Sequence, residues 1–393
     1  VTADLISGRL GGDSFPAQVL GREHKRYPAS DAEADAFTHL LTWSDLNRIL
    51  ASQRLNPPRM RLSAGESIDT SRYTQRRRYR RMPDWEAPVP NLFHEQLREG
   101  ATLVLDAIDE MHPPIGKVIA DLESWLRTGI QVNAYASWTP KEGFGVHWDD
   151  HDVLVLQVAG RKRWRLYGTT RTAPLHTDVE FTEDPPTEPV DEFVMAPGDI
   201  LHVPRGCWHA VAASEGEPSL HLTCGLVTNT GTDFLTWLTS RMVEHEEVRA
   251  DIPRNPEEFS AWSYRMSELI TARLQDPNVV DDYWSKEEIA PARVAFSLPV
   301  VVTGELTDAS RLRLATKRGT LINGKSEVSY AAQGRRWKFA NKAEPVFTHL
   351  FNHRGATIKE LCQLVPGIPR DTLLGLLLKL LEDGALVWEG EDG

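Results

Sequence analysis

Between Ile130 and Val227 the chain is a succession of short strands broken by glycine and proline turns, and that texture points to a β-barrel or β-sandwich. Gln131 to Ala136 alternates polar and apolar residues. Asp152 to Ala159 is an apolar strand, Gly160 marks a turn, and Arg163 to Tyr167 returns as its partner. Glu192 to Ala196 and Asp199 to Val203 flank a Pro197-Gly198 turn, and His209 to Ala213 and Leu220 to Val227 follow. Alternation also sorts side chains by face. Asn133 and Tyr135 share one face of their strand, and His221 and Thr223 share one face of theirs. Polar residues on one face of two strands suit a barrel around a polar pocket; the alternative is a solvated outer face.

The flanking regions read differently. Residues 1 to about 130 mix short helices and loops. Phe37, Leu40, Leu41, Leu46, Ile49 and Leu50 recur at helical spacing and predict a helix over Ala36 to Ala51, with Thr42 and Asp45 placed to cap a new turn. Pro57-Pro58 breaks the chain before a strand at Arg59 to Leu62. Helices are predicted at Leu92 to Gly100 and Ile115 to Arg127, with a strand at Ala101 to Leu105 between them. Further on, Thr232 to Glu247 and Pro256 to Leu274 are long and amphipathic. A loop follows from Gln275 to Ala290, then a hairpin around Gly324. From Val346 onward the order is helix, helix, helix, hairpin, which is a winged-helix pattern. The expected domains are 1–228, 229–290 and 291–393.

Composition narrows the function classes. The 393 residues carry a formal net charge of −12, from 44 basic and 56 acidic side chains, which argues against wholesale nucleic-acid binding. Within that background Arg72, Arg76, Arg77, Arg78, Arg80 and Arg81 form a local basic run with Tyr73 and Tyr79 interleaved. It is either a solvated loop or a contact surface for RNA or an acidic peptide. The last predicted helix, Asp371 to Glu382, offers only Lys379 as a basic group, so the winged helix is expected to serve packing or protein contacts and not DNA. Cys207, Cys224 and Cys362 form no disulfide framework and no CxxC pair. No apolar run approaches the ~18 residues of a membrane span, and Val1 to Gly12 has neither the basic start nor the apolar stretch of a signal peptide. A cytoplasmic setting is expected.

The sharpest motif is His147-Trp-Asp149 at the mouth of the Asp152 strand. On extended chain, residues two apart point the same way. A second histidine-bearing segment, Pro197 to His209, supplies another imidazole. Two imidazoles and one carboxylate on a barrel rim make a facial triad, which leaves coordination positions open on a non-haem iron. His151 and His202 have the wrong spacing or face for ligation. Trp208 either walls a substrate channel or simply packs.

These segments resemble the JmjC-type 2-oxoglutarate oxygenases of the ribosomal-oxygenase group, within the cupin superfamily. The likeness runs through "ATLVLDAIDEMHPPI", "QVNAYASWTPKEGFGVHWDDHDVLVLQVAGRKRWRLYG" and "PGDILHVPRGCWHAV", and through the order of barrel, helical segment and winged helix. It implies an α+β chain: a double-stranded β-helix (jelly-roll or cupin) barrel, then a helical dimerisation segment, then a C-terminal winged helix. It implies Fe(II) held by His147, Asp149 and His209, with 2-oxoglutarate and O2 as co-substrates. Lys162, thirteen positions after Asp149, takes the place of the family's basic residue for the far carboxylate of 2-oxoglutarate. Asn133, Tyr135 and Thr223 match positions that bind the co-substrate or shape the pocket, and His221 shares the face of Thr223. The implied reaction couples decarboxylation of 2-oxoglutarate to hydroxylation of an Arg or His side chain, at the β-carbon, in a protein substrate, ribosomal by preference. The helices from Thr232 to Leu274 would form a homodimer. Two alternatives stand beside this: the same chemistry on a ribosomally made precursor peptide or small molecule, and a non-catalytic cupin-like adaptor.

Overall fold

The computed structural model describes residues 3–79, 82–180, 183–214, 216–280, 282–284, 306–316, 318–324, 326–332 and 335–390. The chain divides into two compact units, 1–228 and 229–393.

The strands of the first unit are β1 (Lys25–Tyr27), β2 (Met60–Ala64), β3 (Glu66–Ser67), β4 (Thr74–Tyr79), β5 (Met82–Pro88), β6 (Thr102–Leu105), β7 (Gly129–Ser137), β8 (Asp152–Ala159), β9 (Lys162–Thr169), β10 (Asp191–Met195), β11 (Ile200–Val203), β12 (Cys207–Ala213) and β13 (Ser219–Val227). One sheet runs β1-β11-β8-β13-β7-β6-β2-β3 and a smaller one β10-β9-β12. Their facing sides enclose Val153, Val155, Trp164, Leu166, Leu201 and Val203. On its other side the large sheet packs Leu154, Leu156 and Val158 against helical residues such as Ile6, Phe15, Ile119 and Leu122. β8 is therefore apolar at nearly every position because both of its faces are covered.

Gly160 makes the turn from β8 to β9. Its φ is +61°, and a Cβ there would lie 1.9 Å from the Pro218 carbonyl oxygen, so only glycine fits. The helix predicted from Ala36 begins instead at Trp43 and runs to Ser52. Thr42 caps it: its hydroxyl accepts from the Asp45 N–H at 3.1 Å, while the Asp45 carboxylate accepts from the Thr42 N–H at 2.9 Å. Phe37, Leu40 and Leu41 are buried without being part of that helix, which is why their spacing misled. The arginine run forms the β4–β5 hairpin; Arg80 and Arg81 lie outside the described residues.

In the second unit the predicted Thr232 helix is divided into Gly231–Arg241 and Glu246–Arg249. Pro256–Leu274 is one helix with no buried residue along its length. The expected loop after it is partly helical: Val279 and Tyr283 are buried with Trp237 and Leu238. The boundary expected at 290/291 lies outside the described residues. Further along, β14 (Arg311–Leu314), β15 (Thr320–Asn323), β16 (Glu327–Ala332), β17 (Arg335–Ala340), β18 (Ala356–Thr357) and β19 (Leu386–Gly390) form two three-stranded sheets, β18-β14-β19 and β15-β16-β17. The hairpin around Gly324 is β15–β16, and β17 extends it. Three helices, Glu344–Asn352, Ile358–Leu364 and Arg370–Glu382, close over this core. Leu373, Leu377, Leu380 and Leu381 of the last helix are buried in it.

Candidate active site

His147 and His209 are far apart in sequence but are joined by two backbone hydrogen bonds. The His147 N–H donates to His209 O at 3.0 Å, and the His209 N–H donates to His147 O at 2.7 Å. A register shift between Trp208 and His209 interrupts the β12–β9 ladder at this point, a device that re-aims a side chain. The two imidazole centroids lie 4.3 Å apart. His209 Nε2 is 3.7 Å from Asp149 Oδ2, and one ligand atom from each of His147, Asp149 and His209 falls within 4.8 Å of the others.

Backbone carbonyls orient both rings. His147 Nδ1 sits 3.1 Å from Gly145 O, and His209 Nδ1 sits 2.9 Å from Cys207 O. Donation from Nδ1 leaves each Nε2 as a lone-pair donor, which is how ligating histidines are commonly held. Burial, reinforced by the neighbouring His147, pushes the His209 pKa down, so the imidazole stays neutral as ligation requires.

The triad opens into a cavity of about 210 Å³. Lys162, Tyr135, His221 and Thr223 line it together with the three candidate ligands. Lys162 is buried at the start of β9, and its Nζ donates to Ser137 Oγ at 2.5 Å. Ser137 Oγ in turn lies 3.1 Å from Thr102 Oγ1. Burial lowers the Lys162 pKa to about 7, and no carboxylate pairs with it among the described residues. The β7–β13 register sets Tyr135 opposite His221 and Asn133 opposite Thr223. The Tyr135 and His221 rings stack at 5.0 Å with a 4° interplanar angle. Burial, then the Asp149 charge, raises the Tyr135 pKa to about 12, so the phenol keeps its proton. His221 is pushed well below its ordinary range by burial and by the Lys162 charge.

Asn133 is not among the cavity's lining residues. Its amide oxygen accepts from the Ala107 N–H at 3.1 Å and from Gln131 Nε2 at 3.2 Å, which ties β7 to the loop after β6. His202 is buried on the helix-covered side of β11, with Nδ1 2.9 Å from Glu23 O and its ring edge-on to Phe15. His151 is 2.8 Å from Asp150. Trp208 is buried and donates to Thr170 Oγ1 at 2.8 Å; it packs and does not line the cavity.

Sequence reasoning missed Arg61, Phe144 and Trp164, all of which line the cavity. The Arg61 guanidinium is gripped by Asp106 at 2.9 and 3.2 Å and lies 5.5 Å from the Phe144 ring centroid. Trp164 stacks on His209 at 5.7 Å. Its position two residues after Lys162 on the same strand was a usable signal; for Arg61 there was none.

Residues 114–234 match the JmjC domain family. Among curated proteins, the bifunctional lysine-specific demethylase and histidyl-hydroxylase NO66 of Dictyostelium discoideum is 26% identical over 264 residues, covering 65% of this chain and 49% of that protein. Ribosomal oxygenase 1 of Homo sapiens is 30% identical over 225 residues, covering 55% of this chain and 34% of that protein. The chain thus spans about half or less of the length of these relatives. Among solved structures, E. coli ycfD superposes with a TM-score of 0.60 at 16% identity, covering 96% of this chain and 97% of that one. A structure titled as YcfD, a ribosomal oxygenase, in complex with cobalt and 2-oxoglutarate gives 0.59 at 15% identity, covering 96% and 98%. At that identity the likeness establishes the fold. The jelly-roll segment that matches the JmjC domain family, residues 114–234, contains all three candidate ligands, His147, Asp149 and His209. In sequence the chain is similar to NO66 and ribosomal oxygenase 1, and in fold to E. coli ycfD.

Proposed function

We propose that the chain is an iron(II)- and 2-oxoglutarate-dependent oxygenase that hydroxylates a histidine or arginine side chain of a protein, with a ribosomal protein as the favoured substrate. One observation carries this reading: a buried ammonium without a carboxylate partner, Lys162, shares a cavity with a two-histidine, one-carboxylate set. A buried unpaired cation calls for an anion, and a co-substrate with a carboxylate at each end fits both Lys162 and the metal.

The donor set suits a hard-to-borderline divalent metal such as iron(II), because two imidazoles and one carboxylate with ligand atoms within 4.8 Å of one another would leave further coordination positions for a co-substrate. His147, Asp149 and His209 would hold the ion, and iron there supplies dioxygen activation coupled to decarboxylation of 2-oxoglutarate to succinate and carbon dioxide. Lys162, steadied by Ser137, would bind the far carboxylate. Tyr135 and His221, stacked and uncharged, would shape the co-substrate's flank, with Thr223 beside them. The Cys207 and Gly145 carbonyls fix the ligand tautomers. A non-catalytic adaptor would have no need to keep all four of His147, Asp149, His209 and Lys162.

We further propose that the Gly231–Arg241 and Pro256–Leu274 helices mediate a homodimer, supported by the exposure of Leu235, Phe259, Ile270 and Leu274, and that the segment from Val346 onward forms a winged helix used for protein contacts. No helix among the described residues is long and apolar enough to cross a membrane. The activity test is incubation with ribosomal proteins, iron(II) and 2-oxoglutarate. One oxygen atom should appear on a His or Arg side chain with matching succinate, and neither should appear with Asp149→Ala. Succinate without any modified ribosomal protein would overturn the substrate assignment.

A further inference from the structure

Thr102 takes no part in the chemistry above. It is the first residue of β6, is buried, and lines the cavity. Its Oγ1 lies 3.1 Å from Ser137 Oγ, which accepts from the Lys162 Nζ at 2.5 Å. Ser63, the cross-strand partner of Thr102 on β2, donates from its Oγ to Gly143 O at 2.5 Å. Gly143 lines the cavity beside Thr102, and a Cβ there would fall 2.6 Å from Thr102 Oγ1. Glycine at position 143, held by Ser63, therefore keeps the space over the Thr102 hydroxyl open.

This end of the cavity holds more donors than acceptors. An ammonium carries three N–H donors and no acceptor, and a hydroxyl carries one donor. Among the described residues Lys162 uses one hydrogen, on Ser137. Ser137 and Thr102 have a hydroxyl hydrogen each and share one hydrogen bond, so one hydrogen is left over whichever of them donates. Since an ammonium only donates, the chain runs from Lys162 through Ser137 to Thr102, each bond strengthening the next. The last hydrogen then sits on Thr102, the hydroxyl that lines the cavity. Buried donors without acceptors are costly. A carboxylate supplies what is missing: about four lone-pair sites on two oxygens, a negative charge and no hydrogen.

We propose that Thr102 is a further co-substrate-binding residue, its hydroxyl donating to the same carboxylate that pairs with Lys162. Charge and hydroxyl then form one seat, joined through Ser137. Assigning that carboxylate to the far end of 2-oxoglutarate rests on the oxygenase reading. The seat is tested separately with glutarate, a dicarboxylate of the same chain length that lacks the keto group.

The test is isothermal titration of the full chain with glutarate, in the presence of iron(II) and under nitrogen. Thr102→Val keeps the side-chain shape and removes the hydroxyl; Thr102→Ser keeps the hydroxyl. Thr102→Val should bind glutarate at least about tenfold more weakly, the effect of losing a hydrogen bond to a charged group, while Thr102→Ser stays within about threefold of the unaltered chain. Iron(II) affinity should be the same in all three. Equal glutarate affinity in Thr102→Val would overturn the proposal. So would equal losses in Thr102→Val and Thr102→Ser, which would make Thr102 a packing residue, and so would the absence of glutarate binding by the unaltered chain. Glutarate binding that follows the expected order, with no succinate formed from 2-oxoglutarate on admitting oxygen, would keep the seat and overturn the oxygenase reading instead.

Discussion

Lys162 holds its ammonium where burial drives the proton off, with a pKa lowered to about 7 from an unfolded value of 10.5. A lysine whose folded pKa is depressed weakens the ligand-free fold at low pH, because the unfolded chain binds the proton more tightly. Stability of the ligand-free chain should therefore rise from about pH 7 toward 10.5, as followed by thermal melting. A bound dicarboxylate reverses the preference by holding the proton on. Affinity for 2-oxoglutarate should fall above about pH 7, by up to about tenfold per pH unit, and Lys162→Met should abolish that slope. The same substitution should raise the 2-oxoglutarate KM roughly tenfold to a hundredfold, the worth of a charge-assisted hydrogen bond, with iron binding unchanged. His147→Ala and Asp149→Ala should do the opposite: iron binding and turnover are lost while the circular dichroism spectrum is preserved. Part of this candidate set was legible, because the His-x-Asp spacing is local, whereas Lys162 was marked only by the family resemblance. Arg61 was not, because its place depends on which strand lies across the barrel mouth, and Asn133 shares the face of Tyr135 yet sits off the cavity.

Elements were legible where one local rule dominated. β8 matched its predicted bounds because an unbroken apolar run ends at a glycine that must turn. Gly160→Ala should cost roughly 2–5 kcal/mol, combining left-handed backbone strain with overpacking against Pro218; chemical denaturation would measure it, and a loss below 0.5 kcal/mol, within the scatter of surface changes, would refute the turn's role. The Ala36 region failed because hydrophobic spacing records burial and not helicity. Phe37, Leu40 and Leu41 are core residues before the helix begins, and the Thr42–Asp45 box decides where it starts. The hairpin built by the arginine run was likewise hidden, since its strands carry charge on both faces and lack any apolar alternation.

At the scale of the molecule, the site exists only after the jelly roll has closed. The His147–His209 bridge, the Tyr135–His221 stack and the burial of Lys162 each depend on separate segments of the chain coming together. The sequence pointed to the candidate ligands and to a polar pocket, but not to Arg61, Phe144 and Trp164 in its wall. If the exposed apolar residues of the Gly231–Arg241 and Pro256–Leu274 helices associate between copies, sedimentation should show a dimer, and Phe259→Asp with Ile270→Asp should give a monomer of unchanged secondary structure. The central claim is that the triad and Lys162 act together on one metal-bound co-substrate. The most direct test is anaerobic loading with iron(II) and 2-oxoglutarate, followed by admission of oxygen. A weak visible charge-transfer band that decays as succinate forms, and that is absent in Asp149→Ala, is the predicted result. Iron bound without a band, and no succinate on oxygenation, would contradict it.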